Sequence, residues 1–230
     1  LEPYGDWLLA TDNVTQPKLW QNTGTFISIA VGEFSRAKIL KKLAQHVIAY
    51  STDVLPQGFH WCSASDPTTW TATSANSARN LPIRNLDSEI VCVADLGERH
   101  AIYSRSYMLP VQYLGPSSWF GTPAGGIRGI GAVSRYSVVS LGRYNWGLFR
   151  GGIFLTDGAS FMLIDRPAVD RWVRESIDWS RESEIIGYFD EKMLLVIWSV
   201  PLLDGTKATI AVDPKDRMLL TDKSKRPFTF

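Results

Sequence analysis

The sequence predicts an all-β fold built from four-stranded antiparallel blades, and three observations support this prediction. Glycine (18 residues) and the aromatic residues (9 Trp, 8 Tyr and 10 Phe) are frequent in the 230-residue chain. Many short apolar runs are separated by turn-forming residues, which is the pattern of strands joined by hairpins. Groups of three to four such runs also recur about every 45–50 residues in the later part of the chain.

The predicted strands follow the apolar runs in chain order. The first part of the chain has runs at residues 7–10, 18–20, 26–30, 46–50 and 60–63. The middle part adds 90–95, 100–104, 108–114, 137–141, 145–150, 152–156 and 160–164. The last part adds 184–189, 193–199, 207–212 and 217–220. These runs have the length of strands, and turn-forming residues separate them.

Asp-Gly and Gly-Gly pairs mark the hairpins. Thr156-Asp157-Gly158 separates the apolar runs Ile153-Phe154-Leu155 and Phe161-Met162-Leu163. This is a strong hairpin pattern, because Asp and Gly both tolerate positive φ. We interpret three further stretches in the same way: Arg150-Gly151-Gly152, Leu203-Asp204-Gly205 and Asp213-Pro214-Lys215-Asp216.

Two stretches have helical features. In residues 35–44, Ala37, Leu40 and Ala44 are spaced as on one helix face, but Ile39 and Leu43 also fit a strand. Residues 168–177 follow Pro167 and place Val169, Trp172, Val173 and Ile177 on one face. The second stretch is therefore predicted to be a short helix or turn segment.

A weak internal repeat predicts a β-propeller or a part of one. Its units are residues 88–115, 135–164 and 184–220, each with three to four strands. Thr-Asp after a strand recurs at Thr11-Asp12, Thr156-Asp157 and Thr221-Asp222. We expect a single domain or fragment over residues 1–230, with possible sub-units 1–84, 85–134, 135–183 and 184–230.

The bulk properties limit the classes of function. Lys+Arg (24) and Asp+Glu (23) nearly balance, whereas a duplex-binding protein usually has a clear basic excess. No apolar run reaches the roughly 18 residues of a membrane helix. The chain starts at Leu1, so we expect a fragment or one ordered part of a longer chain. Cys62 and Cys92 are expected to be free, partly buried thiols rather than a disulfide.

Two motifs suggest chemistry but have structural interpretations. The stretch from Trp61 to Trp70, with Ser63, Asp66 and Pro67, resembles the Asp-box turn of sialidase-type propellers with its spacing off by one. We interpret it as a Ser/Asp-capped turn fixed by proline.

The run from Ala124 to Gly131 is rich in glycine, as a nucleotide-binding loop would be. No lysine follows it and the next segment is a predicted strand, which argues against a nucleotide loop. A flexible connection between blades is the preferred interpretation.

The sequence predicts no catalytic, cofactor-binding or metal-binding residues, and therefore no enzyme. His46, His60 and His100 lie on separate predicted strands without metal-ligand spacing, and are interpreted as structural or surface residues. A Ser–His–Asp arrangement is not excluded by residue order, but no Gly-x-Ser-x-Gly elbow is present. The acidic groups Asp178/Glu182/Glu184 and Asp190/Glu191 alternate with basic residues and are interpreted as solvated charge. Most aromatic residues are expected to fill the space between blades.

A succession of motifs over most of the chain resembles the propeller-type virion proteins of tailed phages. The succession is Leu8-Leu9-Ala10-Thr11-Asp12-Asn13, Pro17-Lys18-Leu19-Trp20, Gln45-His46-Val47-Ile48-Ala49-Tyr50, the Trp61–Trp70 stretch, Asn76-Ser77-Ala78, Asp87-Ser88-Glu89-Ile90-Val91, His100-Ala101-Ile102-Tyr103-Ser104 and Phe154-Leu155-Thr156-Asp157-Gly158-Ala159-Ser160-Phe161. It is most similar to the tail nozzle or tail tubular proteins of short-tailed phages. Such proteins have no catalytic residues to transfer.

The resemblance implies a structural virion protein of the phage tail, assembled in the host cytoplasm. Several copies would form a homo-oligomeric ring around the channel through which genome DNA passes transiently. The ring would contact an adaptor on one side and fibre or tip proteins on the other. The alternative is a propeller that binds or cleaves host-surface glycans. A cellular scaffold propeller is disfavoured, because the repeats of the WD and kelch types are absent from the sequence.

Overall fold

The computed structural model describes residues 1–122, 125–164, 167–215 and 218–220. The all-β prediction is confirmed, since these residues form five successive antiparallel sheets and few helices. In each sheet the strands that follow one another along the chain are hydrogen-bonded neighbours. This up-and-down meander of four strands is the sheet type of a propeller blade.

The first two sheets have four strands each. Sheet 1 consists of β1 (Glu2–Tyr4), β2 (Trp7–Ala10), β3 (Lys18–Trp20) and β4 (Ile27–Ser28). Sheet 2 consists of β5 (Ala37–Leu43), β6 (His46–Thr52), β7 (Gly58–Trp61) and β8 (Arg79–Pro82). Sheet 1 has short strands, and its last strand is exposed, whereas every residue of β6 and β7 is buried.

The third sheet carries one extra strand. Its meander consists of β9 (Cys92–Leu96), β10 (Arg99–Tyr103), β11 (Tyr107–Gly115) and β12 (Trp119–Gly121), and β13 (Ile127–Arg128) also pairs with β11. The start of β11 pairs with β13 through Tyr107 and Met108, and its end pairs with β12.

The last two sheets again have four strands each. Sheet 4 consists of β14 (Val138–Leu141), β15 (Tyr144–Phe149), β16 (Gly152–Thr156) and β17 (Phe161–Leu163). Sheet 5 consists of β18 (Ile186–Asp190), β19 (Leu195–Pro201), β20 (Lys207–Asp213) and β21 (Met218–Leu220). Between them lie helix α1 (Pro167–Ser176) and a 3₁₀ helix (Trp179–Glu184).

The predicted helix is confirmed by α1, and the ambiguous stretch at residues 35–44 is a strand. Ala37–Leu43 pairs with β6 over its length, and Leu43 lies opposite His46 across a tight turn. Ala44 has a positive φ of 53°, which ends the strand at that turn. All the predicted strands overlap observed ones, while β1, β8, β12 and β13 were not predicted. Arg217, at the start of the last predicted strand, lies outside the described residues.

The Thr-Asp pairs at residues 11–12 and 156–157 each form a turn, but the two turns do not lie at equivalent positions in their sheets. Thr11-Asp12 follows β2, the second strand of sheet 1, whereas Thr156-Asp157 follows β16, the third strand of sheet 4. In both turns the aspartate accepts hydrogen bonds from the backbone N–H groups two and three residues later. The recurrence therefore reflects local capping by aspartate. Thr221-Asp222 lies outside the described residues.

Contacts divide the chain into two compact units. One comprises Leu1–Ile90 and Val111–Pro123, and the other comprises Val91–Pro110 and Ala124–Phe230. The first contains sheets 1 and 2, the second contains sheets 4 and 5, and β11 runs through the division. The predicted single domain with sub-units 1–84, 85–134, 135–183 and 184–230 stays a prediction.

Each unit has its own apolar core. In the first unit, side chains of sheets 1 and 2 pack with the buried indole of Trp70. In the second unit, sheets 4 and 5 pack on each other and on α1, with Trp146, Trp198, Val173 and Ile210 among the buried residues. A further cluster joins β9 and β10 to sheet 4 through Tyr103 and Phe154. Successive sheets thus pack face to face within each unit.

Candidate interaction surfaces

The Trp61–Trp70 stretch is a capped turn, as predicted. The Asp66 carboxylate accepts hydrogen bonds from the N–H and hydroxyl of Thr68 (3.0 and 2.6 Å) and from the hydroxyl of Thr69 (2.6 Å). Burial by itself would raise the pKa of Asp66, but these hydrogen bonds lower it overall. The Trp70 indole N–H donates to the Pro67 carbonyl at 2.8 Å and closes the turn. These hydrogen bonds account for the conformation of the turn.

The glycine-rich segment after β12 is packed against the turn that precedes β11. Ile127–Arg128 forms β13, and the backbone N–H of Ala132 donates to the Ser104 carbonyl at 2.9 Å. A Cβ atom on Gly131 would lie 2.2 Å from the backbone oxygen of Arg105. The glycine there permits a close approach of two backbones. The segment is a hydrogen-bonded connection between strands, and Ala124 lies outside the described residues.

The three histidines are buried on separate strands, His46 on β6, His60 on β7 and His100 on β10. His46 Nε2 lies 3.2 Å from the Ser77 hydroxyl, and aromatic rings from Tyr113, Trp119 and Phe120 surround its imidazole. Burial lowers the pKa of His46 to about 4 and also lowers the pKa of His60. Within the described ranges, no group of three or more His, Cys, Asp or Glu side chains could hold a metal ion.

Two buried polar atoms of sheet 2 are candidates for a nucleophile and its base. They are the Ser51 hydroxyl and His60 Nε2, and neither has a hydrogen-bond partner among the described residues. The two atoms are therefore not bonded to each other, as a serine nucleophile and its histidine base would be. Asp53, which follows the same strand, instead accepts hydrogen bonds from the backbone N–H groups of Ser35 and Arg36 at 3.0 and 3.2 Å.

The acidic residues that precede sheet 5, Asp178, Glu182 and Glu184, each have specific hydrogen-bond or ion-pair partners. Glu182 has a side chain only 15% exposed and bridges Arg105 and Arg150, the latter at 3.0 Å. Asp178 caps the 3₁₀ helix through the Ser180 N–H. Glu184 is paired with Arg181 at 2.8 Å and Lys207 at 3.1 Å, and hydrogen bonds from these two residues lower its pKa to about 2. Solvated charge therefore does not describe Glu182. Its carboxylate is mostly buried and forms ion pairs with arginines from two separate turns.

The two cysteines are free, as predicted, and both are fully buried. Cys62 Sγ accepts a hydrogen bond from the Val47 N–H at 3.1 Å. Burial raises the pKa of the Cys62 thiol to about 12, so the reactive thiolate is not formed near neutral pH. This cysteine fills space in the core of the first unit.

A patch of large exposed side chains lies at the first strand of sheet 5. We define it as Tyr136, Ile186 and Tyr188, which are 52%, 50% and 49% exposed. Tyr136 and Ile186 form a parallel bridge, and the Gly187 N–H donates to the Tyr136 carbonyl at 2.7 Å. The Arg135 guanidinium lies 5.5 Å from the centre of the Tyr136 ring. The backbone therefore holds this patch in place.

Outer strands carry exposed apolar residues in both units. All three residues of β17, Phe161, Met162 and Leu163, are exposed at the edge of sheet 4. In the first unit, Phe26 and Ile27 are exposed at the last strand of sheet 1. The sequence identified these residues as strand-forming. It gave no signal of their exposure, because adjacent apolar residues do not alternate with polar ones.

No known protein family matches the chain, and no curated protein matches it. Within its described residues, no helix is both long enough and apolar enough to cross a membrane.

Proposed function

We propose that this chain is a structural component of a phage tail. Several copies would form a nozzle-like ring around the channel for the exiting genome, and the ring would dock an adaptor on one side and fibre or tip proteins on the other. The observation that carries the proposal is that the four-stranded meander sheets carry large exposed apolar residues. These residues lie at the first strand of sheet 5 and at the last strands of sheets 1 and 4. Such residues mark surfaces that contact other proteins.

The two faces of sheet 5 support an assembly of blades. On one face, Val196, Trp198 and Val200 pack in the core shared with sheet 4. On the other face, Leu195, Ile197 and Ala211 form a second buried cluster. A sheet that is apolar on both faces suits a position between two neighbouring layers, as in a propeller. Closed rings of identical subunits need the same two surfaces to be repeated around an axis.

The charge balance is compatible with a DNA conduit. The formal net charge is +1, so the whole chain has no excess of phosphate-binding residues. A channel that releases DNA should not hold its phosphates tightly, because each ionic contact adds affinity. DNA would therefore pass the ring as a transient partner.

The first test is the oligomeric state and location of the protein. We expect mass photometry of the purified chain to show a ring-sized species, and antibodies against the chain to label phage tails. The double variant Ile186→Asp/Tyr188→Asp should reduce assembly, whereas Leu203→Asp, at an exposed turn outside the patch, should not. A protein that is monomeric at high concentration and absent from purified particles would contradict the proposal.

The alternative of a glycan-binding or glycan-cleaving propeller rests on the exposed tyrosines. Tyr136, Tyr144 and Tyr188 present accessible rings of the kind that stack on sugars. A glycan array and a hydrolysis screen would detect this activity. Binding that is lost in Tyr136→Ala and Tyr188→Ala, together with a monomeric state, would favour the alternative over the ring.

A further inference from the structure

The hairpin formed by the end of β11 and by β12 covers part of one face of sheet 2. We define it as the strap, residues 112–121, which belong to the first unit. In the strap, the Phe120 ring packs edge-on against Trp61, with 5.1 Å between ring centroids, and lies 6.5 Å from Phe59. Trp61 and Phe59 are buried residues of β7. The strap therefore closes an aromatic surface of sheet 2.

His46 of β6 lies in the contact between the strap and sheet 2. The centre of its imidazole is 5.1 Å from the ring of Phe120, 5.5 Å from Trp119 and 5.9 Å from Tyr113. All three aromatic partners belong to the strap. The described hydrogen bond of the imidazole, from Nε2, is instead with the Ser77 hydroxyl in the segment before β8. His46 is thus the titratable residue of sheet 2 on which the strap rests.

The surroundings of His46 disfavour a positive charge on its ring. His46 is 1% exposed, and its Nδ1 atom has no hydrogen-bond partner among the described residues. The Ser77 hydroxyl lies at Nε2 and also accepts a hydrogen bond from the Ala64 N–H at 2.7 Å. A protonated imidazole carries an N–H donor on each nitrogen, so the buried Nδ1–H would be both charged and unpaired. The closed strap therefore favours a neutral His46.

No described charge offsets this cost. The strap faces His46 with the Tyr113 phenol, the segment before β8 faces it with the Ser77 hydroxyl, and β5 places Leu43 opposite it in the ladder. Burial lowers the pKa of His46 to about 4, and no charged residue contributes to that shift. Aromatic rings attract cations, but the lost hydration has the larger effect here.

The strap has the features of a segment that opens locally. Its strand β12 has three residues, and the ladder with β11 is irregular between Tyr113 and Gly115. Trp119 has a φ of +56°, in the left-handed region that tryptophan rarely adopts, and strain of this kind is common in switch segments. Tyr113 and Leu114 are 36% and 41% exposed. Short, partly exposed segments open at lower cost than the buried ladders beside them.

We propose that residues 112–121 are an acid-released strap: protonation of His46 undocks them from sheet 2, while the rest of the first unit stays folded. Undocking exposes the aromatic surface at Trp61 and Phe59. The inference does not depend on the proposed ring, because every residue that carries it lies within the first unit.

The direction of the pH effect follows from the two states of His46. Opening returns the imidazole to water, where its pKa is near the ordinary 6.5, against about 4 under the closed strap. The open form therefore binds a proton more tightly, and acid favours it. Between pH 6.5 and pH 4 the ratio of open to closed strap should rise by up to about tenfold per pH unit.

The test is ¹⁹F NMR of the chain labelled with 5-fluorotryptophan, recorded between pH 7 and pH 4. The nine tryptophan resonances are assigned with single Trp→Phe variants. As the pH falls, we expect the resonances of Trp119 and Trp61 to move toward solvent-exposed positions. The resonances of Trp70, in the core of the first unit, and of Trp198, in the core of the second, should stay in place.

Three variants identify the titrating group and the contact. In His46→Gln the Trp119 resonance should not change with pH, because glutamine does not titrate. His60→Gln is the matched control and should keep the full response, because His60 contacts Phe34 rather than the strap. Phe120→Leu weakens the docking and should raise the pH midpoint of opening by about one unit. Circular dichroism at pH 7 checks that each variant is folded.

Four results would overturn the proposal. A Trp119 resonance that is constant down to pH 4 would show that the strap stays closed. A joint change of Trp119 and Trp70 would show that the first unit unfolds as a whole. A response that persists in His46→Gln, or is lost in His60→Gln, would remove His46 as the trigger. An unchanged midpoint in Phe120→Leu would show that the strap is not held by this contact.

Discussion

The indole N–H of Trp198 donates a 2.9 Å hydrogen bond to the backbone carbonyl of Ser137. Trp198 is on β19 in sheet 5, and Ser137 directly precedes β14 in sheet 4. The same carbonyl accepts a 3.0 Å hydrogen bond from the Leu148 N–H within sheet 4. One carbonyl oxygen therefore joins the ladder of one sheet to the buried side chain of the next.

Replacing Trp198 should weaken the second unit. Trp198→Phe removes the hydrogen bond to Ser137 and leaves space in the core, so we expect a loss of about 2–3 kcal/mol in the free energy of unfolding. Urea denaturation followed by circular dichroism measures it. Trp172→Phe is the matched control, because Trp172 packs on the same core but is only partly buried. Equal losses in the two variants would show that the hydrogen bond contributes little.

Gly187 should tolerate no side chain. It lies opposite Trp198 in the ladder between β18 and β19, and a Cβ atom there would be 2.6 Å from Trp198 Nε1 and 2.8 Å from Val139 Cγ2. We expect Gly187→Ala to destabilise the protein by about 1–3 kcal/mol through overpacking. Gly125→Ala, at a position with nothing within 4 Å, is the control for adding a methyl group. Thermal unfolding that is unchanged in Gly187→Ala would contradict the tight packing of these sheets.

Glu182 should contribute to stability through its two arginines. Glu182→Gln leaves Arg105 and Arg150 near each other without the shared carboxylate. Because both arginines are partly exposed, the expected loss is about 1 kcal/mol, and it should shrink in high salt. Chemical denaturation at low and high ionic strength tests this. Glu191→Gln, at an exposed turn, should have no effect, and a salt-independent loss would contradict an ionic origin.

Acid should destabilise the first unit through His46. The pKa of His46 is lowered by burial from its ordinary 6.5 to about 4 in the folded protein. Between these values the unfolded chain binds a proton that the folded chain does not. The stability from neutral His46 is therefore complete above pH 6.5 and is lost as the pH falls toward 4, by at most about 1.4 kcal/mol per pH unit.

Urea midpoints between pH 7 and pH 4 check this dependence. His46→Gln should lose less stability over that range than the natural chain, because glutamine does not titrate. Part of the slope should remain, since burial lowers the pKa of His60 in the same direction. Parallel pH profiles for the two proteins would show that His46 does not carry the effect.

Local sequence could not decide the structure of residues 35–44. Ala37, Leu40 and Ala44 fit a helix, and Ile39 and Leu43 fit a strand. Residues 37–43 form a strand because they pair with β6 along their length. The pairing is favourable because β6 is fully buried. The strand β8 was missed for a related reason. Arg79–Pro82 has little apolar character, and its strand structure comes from pairing with β7.

The sequence by itself determined the all-β class, the Asp-capped turns, the helix after Pro167 and the strands of sheets 4 and 5. These features depend on neighbours within a few residues, where turn chemistry and apolar spacing act directly. Only the tertiary structure decided that the Thr-Asp turns occupy unequal places in their sheets, that Glu182 bridges two arginines, and that the Tyr136–Ile186–Tyr188 patch is exposed. These relationships join residues far apart in the chain, and they form only when packing and strand pairing bring the residues together.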